Sequence, residues 1–180
     1  MHTGLKYCMI FVAIASLWAG LQTNIHAASR ASIFKKFIGN YQKNFIWAFV
    51  GMVVSTSAVS FFKSISMHGC PNKLTLYGGE LPLLGLFEQL PAGVAAGHCF
   101  PGGHASGGFA LMAFYFAFRN SKPKFAKTML VLALVFGFCM GWAQMMRGEH
   151  FLSHNLWTAW VVWAILFTLF TLKILIEKNK

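Results

Sequence analysis

Residues 45–62 run for eighteen positions without one charged side chain. A stretch that long and that apolar constrains the fold more than anything else in the sequence. As a helix it covers about 27 Å at 1.5 Å per residue, close to the roughly 30 Å of a bilayer's hydrocarbon core. In that core every backbone N–H and C=O must be paired within the protein, and a helix pairs them inside one segment. Four other apolar runs obey the same logic, at about residues 5–22, 105–118, 128–146 and 151–172. The run at 105–118 reaches spanning length only if its helix begins near His104. The run at 5–22 reads as a first span or as a cleaved signal peptide. Its single lysine, Lys6, and its length favour the span. The expected fold is all-α, one domain over residues 1–180, a polytopic membrane helix bundle of about five spans in contact with the lipid bilayer.

Composition enters as support. The chain is 57% hydrophobic and 11% charged, with 19 Phe and 6 Trp, against about 25% charged residues in a soluble domain. A net charge of +11 would suit nucleic acid. The cations lie instead in short clusters between apolar runs, the pattern of the positive-inside rule, so no nucleic-acid partner is expected. Eleven of the 15 Lys and Arg fall in the segments joining spans one to two and three to four, and in the C-terminal tail. Only Lys6, Lys63, Lys73 and Arg147 fall on the other side. This asymmetry assigns the C-terminus to the cytoplasm and the long segment 63–104 to the outside. Lys63, His104, Arg147 and His150 then share the outer face.

Two stretches on that face carry chemistry. Residues 97–108 read GHCFPGGHASGG, a glycine-rich loop opening an apolar run. Unpaired amides and the helix dipole at such a start favour anions. Residues 147–154 read RGEHFLSH and add a guanidinium and two imidazoles. Together they make a phosphate site. His150 and His154, four apart, share a helix face. That spacing would suit a metal, but no HExxH motif is present and acids are few, with Glu80, Glu88 and Glu149 outside. No metal and no cofactor are expected. Ser106 lacks the GxSxG elbow of a serine nucleophile. His68 and His98 read as interfacial, with His98 a further candidate donor to phosphate. Gln144 and Arg147, three apart, would share a face on the last turn of the fourth span, and Arg147 suits phosphate through its planar fork. Lys63 is either a phosphate ligand or a lysine snorkelling from a helix end.

The cysteines divide by place. Cys8 and Cys139 fall in apolar runs. Cys70 and Cys99 lie outside, where an oxidising compartment allows them to pair or leaves them as two thiols. The segment between Lys63 and Gly103, broken by Gly, Pro, Asn and Thr, has the length of a lid or a substrate entrance. Residues 83–90 form a candidate short interfacial helix within it.

These stretches resemble the type 2 phosphatidic acid phosphatases, a family that includes bacterial lipid phosphatases and relatives of the vanadium haloperoxidases. Pro101-Gly102-Gly103-His104 is similar to the family's Pro-Ser-Gly-His, with Gly102 at the Ser position. His150 stands at the family's third-motif His, His154 where an Asp follows it, and Gln144 where an Arg precedes it. Lys63, followed by Cys70-Pro71, is similar to the family's Lys…Arg-Pro, with Cys at the Arg position. The resemblance spans roughly residues 63–157. It implies metal-independent hydrolysis of a lipid-linked phosphate monoester or pyrophosphate at the periplasmic face of a bacterial inner membrane. His150 would attack phosphorus, His104 would act as acid and then base, and His154 would orient His150. Lys63, Arg147 and the amides of Gly102 and Gly103 would hold the phosphate oxygens. A lipid phosphotransferase, or a silent phospholipid-binding or transport protein on the same scaffold, are the alternatives. The sequence names neither the lipid nor the oligomeric state.

Overall fold

The computed structural model describes residues 38–179 and, before them, residues 11, 12, 14, 15, 17 and 18. The first apolar run and Cys8 therefore lie largely or wholly outside the described residues. The five helices taken up below are α1 (Gln42–Ser64), α2 (Gly103–Ala110), α3 (Met112–Phe118), α4 (Pro123–Met145) and α5 (Leu152–Lys178), with two 3-10 turns at Pro71–Lys73 and Thr75–Tyr77. The protein is an all-α membrane bundle. Among the described residues three helices, α1, α4 and α5, are long and apolar enough to cross a bilayer. At 23, 23 and 27 residues they span about 35–40 Å.

The run expected as one span at 105–118 differs. Its helix begins at Gly103 and is interrupted at Leu111, which closes α2 and opens α3. The pair forms the centre of the bundle rather than its lipid face. Phe109, Ala110, Ala113 and Phe118 are wholly buried, and α2 and α3 pack on α1, α4 and α5 alike. The approach of α2 to α4 is set by two glycines. A Cβ on Gly108 would lie 2.5 Å from the Gly137 backbone, and one on Gly137 would collide with the Phe109 ring. Small residues let membrane helices meet backbone to backbone, which is where their packing energy comes from in lipid.

The outward faces run the opposite way from a soluble protein. Val131, Leu134, Val135, Phe136 and Phe138 of α4, and Trp160, Trp163 and Phe167 of α5, are exposed. Beside them, Trp142 and Trp157 ring the end where α4 finishes and α5 starts, at the level suited to headgroups.

The chain between α1 and α2 folds over that end. Gly97 N–H donates to Met67 O, His98 N–H to Ser66 O and Cys99 N–H to His68 O, so its end lies back along its beginning. A Cys70–Cys99 disulfide, with Cα atoms 5.2 Å apart, fixes this return. Asn72 N–H donates to Gly148 O at 2.9 Å and ties the segment to the α4–α5 turn. Residues 83–90 are not helical. Pro82 and Pro91 bound them, and a residue before proline avoids the helical region. They form an apolar loop instead, with Phe87 93% exposed at its tip.

Candidate active site

Each residue of the cluster is delivered by a helix end. Lys63 sits in the last turn of α1, where a cation suits the negative end of the helix dipole. Gly102 caps α2, and Gly103 and His104 are its first residues. His150 lies in the short link to α5, and His154 in that helix's first turn. Lys63 Nζ lies within 3.8 Å of where a Cβ on Gly103 would stand, so the ammonium hangs over the start of α2.

His150 and His154 are both 5% exposed, and their Nδ1 atoms are 3.3 Å apart. Two neutral imidazoles can share that contact only if one donates and the other accepts. When His150 donates from Nδ1, its Nε2 keeps a lone pair and is nucleophilic. Burial, reinforced by His154, Lys63 and His104 in that order, pushes the His150 imidazole down from 6.5 to about 3. His150 is therefore neutral at ordinary pH, as a nucleophile must be. The same interactions bring Lys63 and His104 into the electrostatic neighbourhood of His150. His104 is half-buried at the mouth of α2.

Behind His150 stands the disulfide. Cys99 Sγ is 3.5 Å from His150 Nδ1 and 3.0 Å from the Glu149 carbonyl oxygen. A disulfide sulfur has no proton, so these are packing contacts that fix the ring from the rear. The cystine is part of the wall of the site as well as a tie in the segment above it.

Two expected phosphate ligands fare differently. Gly102 N–H donates to Thr158 Oγ1 at 2.8 Å, and the same hydroxyl donates to His154 O at 2.6 Å. That amide is committed to holding α2 against α5, which leaves Gly103 N–H, at the first position of α2, as the glycine amide without an intrahelical acceptor. Arg147 is not on the last turn of α4. The helix ends at Met145 and the chain reverses at Gly148, whose φ is +66°. Arg147 is exposed, 3.9 Å from Glu149 Oε1, and is absent from the charges acting on His150. Gln144, one turn earlier, is the residue of this pair that is buried.

Other residues join the site without a motif to mark them. The Phe100 ring packs on His68 and His154 at 5.3 Å each, and His68 Nε2 lies 3.2 Å from Gly85 O. Asn155 is 1% exposed, and its Oδ1 has no hydrogen-bond partner among the described residues. Its i, i+3 relation to Thr158 on α5 was the only available signal. His98 is exposed. Ser106 Oγ donates back to Gly103 O at 2.7 Å and is spent on its own helix.

A cavity of about 530 Å³ lies apart from His150 and His154. It lies across Phe100 from them, lined by Phe62, Ile65, Met67, Leu86, Phe87 and Trp157 among others. A smaller one of about 190 Å³ shares His68, Leu86, Phe100 and Trp157 with it and reaches His154. The chemistry and the apolar room are thus neighbours divided by one aromatic ring.

No curated protein and no solved structure matches the chain. The family model of the PAP2 superfamily matches residues 44–178, a range that takes in all of α1 to α5 except the two residues at the start of α1, the disulfide and every residue of the cluster. With that match over most of its length, the chain belongs to the PAP2 superfamily.

Proposed function

We propose that this protein is an integral membrane phosphatase that removes phosphate from a lipid-linked monoester or pyrophosphate. The observation that carries the reading is the buried, neutral His150 held between His154 and Cys99, within the field of Lys63 and His104. His150 Nε2 attacks phosphorus in line and forms a phosphohistidine. His104 gives a proton to the departing oxygen, then takes one from the water that releases phosphate. Lys63 and the Gly103 amide hold the equatorial oxygens, where fixed charge does most of the work of phosphoryl transfer. His154 holds the ring of His150 in the productive tautomer. The cavity beyond Phe100 takes the lipid's apolar chain.

The charge asymmetry supports five spans, a cytoplasmic C-terminus and a site facing the periplasm of a bacterial inner membrane. In the structure the basic residues Lys122 and Lys173 gather around Tyr41 and Trp47, at the end of the bundle away from Lys63. A set of lipid phosphates in detergent micelles with EDTA tests the activity. Free phosphate should be released and should disappear in His150→Ala. His104→Ala should lose about 10²–10⁴-fold on alkyl phosphates and less on pyrophosphates, which need less protonation to leave. Phosphate appearing on a second lipid would make the protein a transferase. No turnover on any lipid phosphate would make it a binder.

A further inference from the structure

Cys99, His150 and His154 form a set that the proposed reaction does not use as a set. Cys99 Sγ lies 3.5 Å from His150 Nδ1, and His150 Nδ1 lies 3.3 Å from His154 Nδ1. All three donor atoms fall within 4.8 Å of one another, on buried residues. Zinc takes imidazole nitrogen at about 2.0–2.1 Å and thiolate sulfur at about 2.3 Å, in a tetrahedron. Those lengths at tetrahedral angles put two nitrogens about 3.3 Å apart, and a nitrogen and a sulfur about 3.6 Å apart. Two of the three spacings already match. The third requires a closure of at most roughly 1.2 Å to reach the same tetrahedral edge.

In the oxidised protein the set is one ligand short. Cys99 is bonded to Cys70, and a disulfide sulfur offers no thiolate. We propose that opening the Cys70–Cys99 disulfide creates a zinc site at Cys99, His150 and His154, and that the bound ion silences the histidine pair. A dithiol supplies the two electrons and two protons and leaves as its own disulfide. Cys70 and Cys99 each become a thiol, and zinc displaces the Cys99 proton. Water completes the tetrahedron. An imidazole that binds metal through Nδ1 and stays neutral carries its proton on Nε2. His150 then has no lone pair to present to phosphorus. The metal site stands on the geometry alone; the silencing rests on the phosphatase reading.

Cobalt(II) is the probe, because a thiolate-bound tetrahedral cobalt shows a sulfur-to-metal charge-transfer band. Purified full-length protein is opened with a phosphine, which becomes its oxide with oxygen from water and does not chelate as a dithiol does. The band should appear at one equivalent in phosphine-treated wild type, and in Cys70→Ser without reductant, and be absent from untreated wild type. Adding Cys99→Ser, or His150→Ala with His154→Ala, to the Cys70→Ser chain should remove it. No band in either opened form overturns the proposal, and so does a band that survives Cys99→Ser, which would report Cys8 or Cys139. Zinc added to an opened preparation should stop its own phosphate release and leave the oxidised protein's unchanged. If release continues with the ion bound, the silencing is wrong. If the band appears and no preparation releases phosphate, the metal site stands and the phosphatase reading falls.

Discussion

The two ends of this bundle are held together by different forces. At the end carrying Lys122 and Lys173 the interior is carbon. Phe118 is wholly buried, with the rings of Tyr41, Phe45 and Phe125 at 5.8, 5.2 and 5.1 Å. Cations lie on the rim of this cluster, Lys122 over Tyr41 at 5.5 Å and Lys173 over Trp47 at 5.3 Å. At the other end the buried side chains include five polar ones, Gln144, His150, His154, Asn155 and Thr158, beside Leu74, Cys99 and Pro101. What holds them is a disulfide, a hydroxyl shared between α2 and α5, and a backbone bond from Asn72 to Gly148. The first end rests on ring packing, with one directional tie where the Asn44 amide donates to the Ala117 carbonyl. The second keeps neutral imidazoles and amides buried at a cost, and offsets it with covalent and directional ties.

Substitutions should separate the two ends cleanly. The largest effect belongs to His150→Ala, which should lower phosphate release on the order of 10⁴-fold or more, as for a nucleophile removed from a set acting as a unit. The thermal midpoint in detergent should hold or rise, because a buried imidazole is lost. A fall in stability with retained turnover would erase the contrast. Phe118→Ala should do the reverse. It should cost about 3–5 kcal/mol of stability, the range for a truncated core aromatic, while turnover per folded molecule is unchanged.

Lys63→Met comes next, with a loss of about 10²–10³-fold in turnover, typical of one oxyanion-stabilising donor. It should also move a pH profile. His150 in the wild type protonates only near pH 3 rather than 6.5, so the acid limb of the rate should lie far below the ordinary imidazole range. Lys63 is one of the causes of that depression; removing it should shift the limb to higher pH. The sign for stability follows from proton counting. Between about pH 3 and 6.5 the unfolded chain binds a proton at His150 that the folded chain refuses. This group therefore destabilises the fold progressively as pH drops through that window, and contributes no slope above it. An acid limb near pH 6.5 would mean that the ring is hydrated, not buried.

The smallest effect is the sharpest test of geometry. Arg147→Ala should change turnover by no more than about fivefold, the ceiling for an exposed ion pair worth roughly 0.2–1 kcal/mol. A loss as large as that of Lys63→Met would mean that the guanidinium leaves Glu149 for the phosphate.

Much of this was legible in residue order. Apolar runs at 45–62, 128–146 and 151–172 correspond to α1, α4 and α5, because in lipid a long apolar run has one way to satisfy its backbone. The pairing of Lys63 with the 97–108 loop could be read from helix parity. The break at Leu111 could not, since MAFYFAF is as apolar as a span and nothing local marks it as interior. The sequence places Arg147 on the last turn of α4, but the helix ends at Met145, two residues before it, a difference within the usual uncertainty of helix boundaries. Gly102 reads as a phosphate-binding glycine until Thr158, 56 positions away, is seen to take its amide. Residues that act through distant partners leave no periodic trace.

Gly102 has a consequence for how such a chain can change. The Pro-Ser-Gly-His motif that residues 101–104 resemble has serine at this position, and serine looks one substitution away. Yet a Cβ at this position would stand 3.0 Å from Asn155 Oδ1 and 3.3 Å from Thr158 Oγ1. Asn155 has little room to retreat, because it fills the space over Gly141, where a Cβ would meet its Cγ at 2.5 Å. The three residues 102, 141 and 155 are thus a set of interlocking volumes. Gly102→Ser alone would require Asn155 and Thr158 to give way by a few tenths of an ångström. A smaller residue at 155 would open the room that a side chain at 102 needs, so the two positions should be coupled: a change tolerated at one depends on what stands at the other.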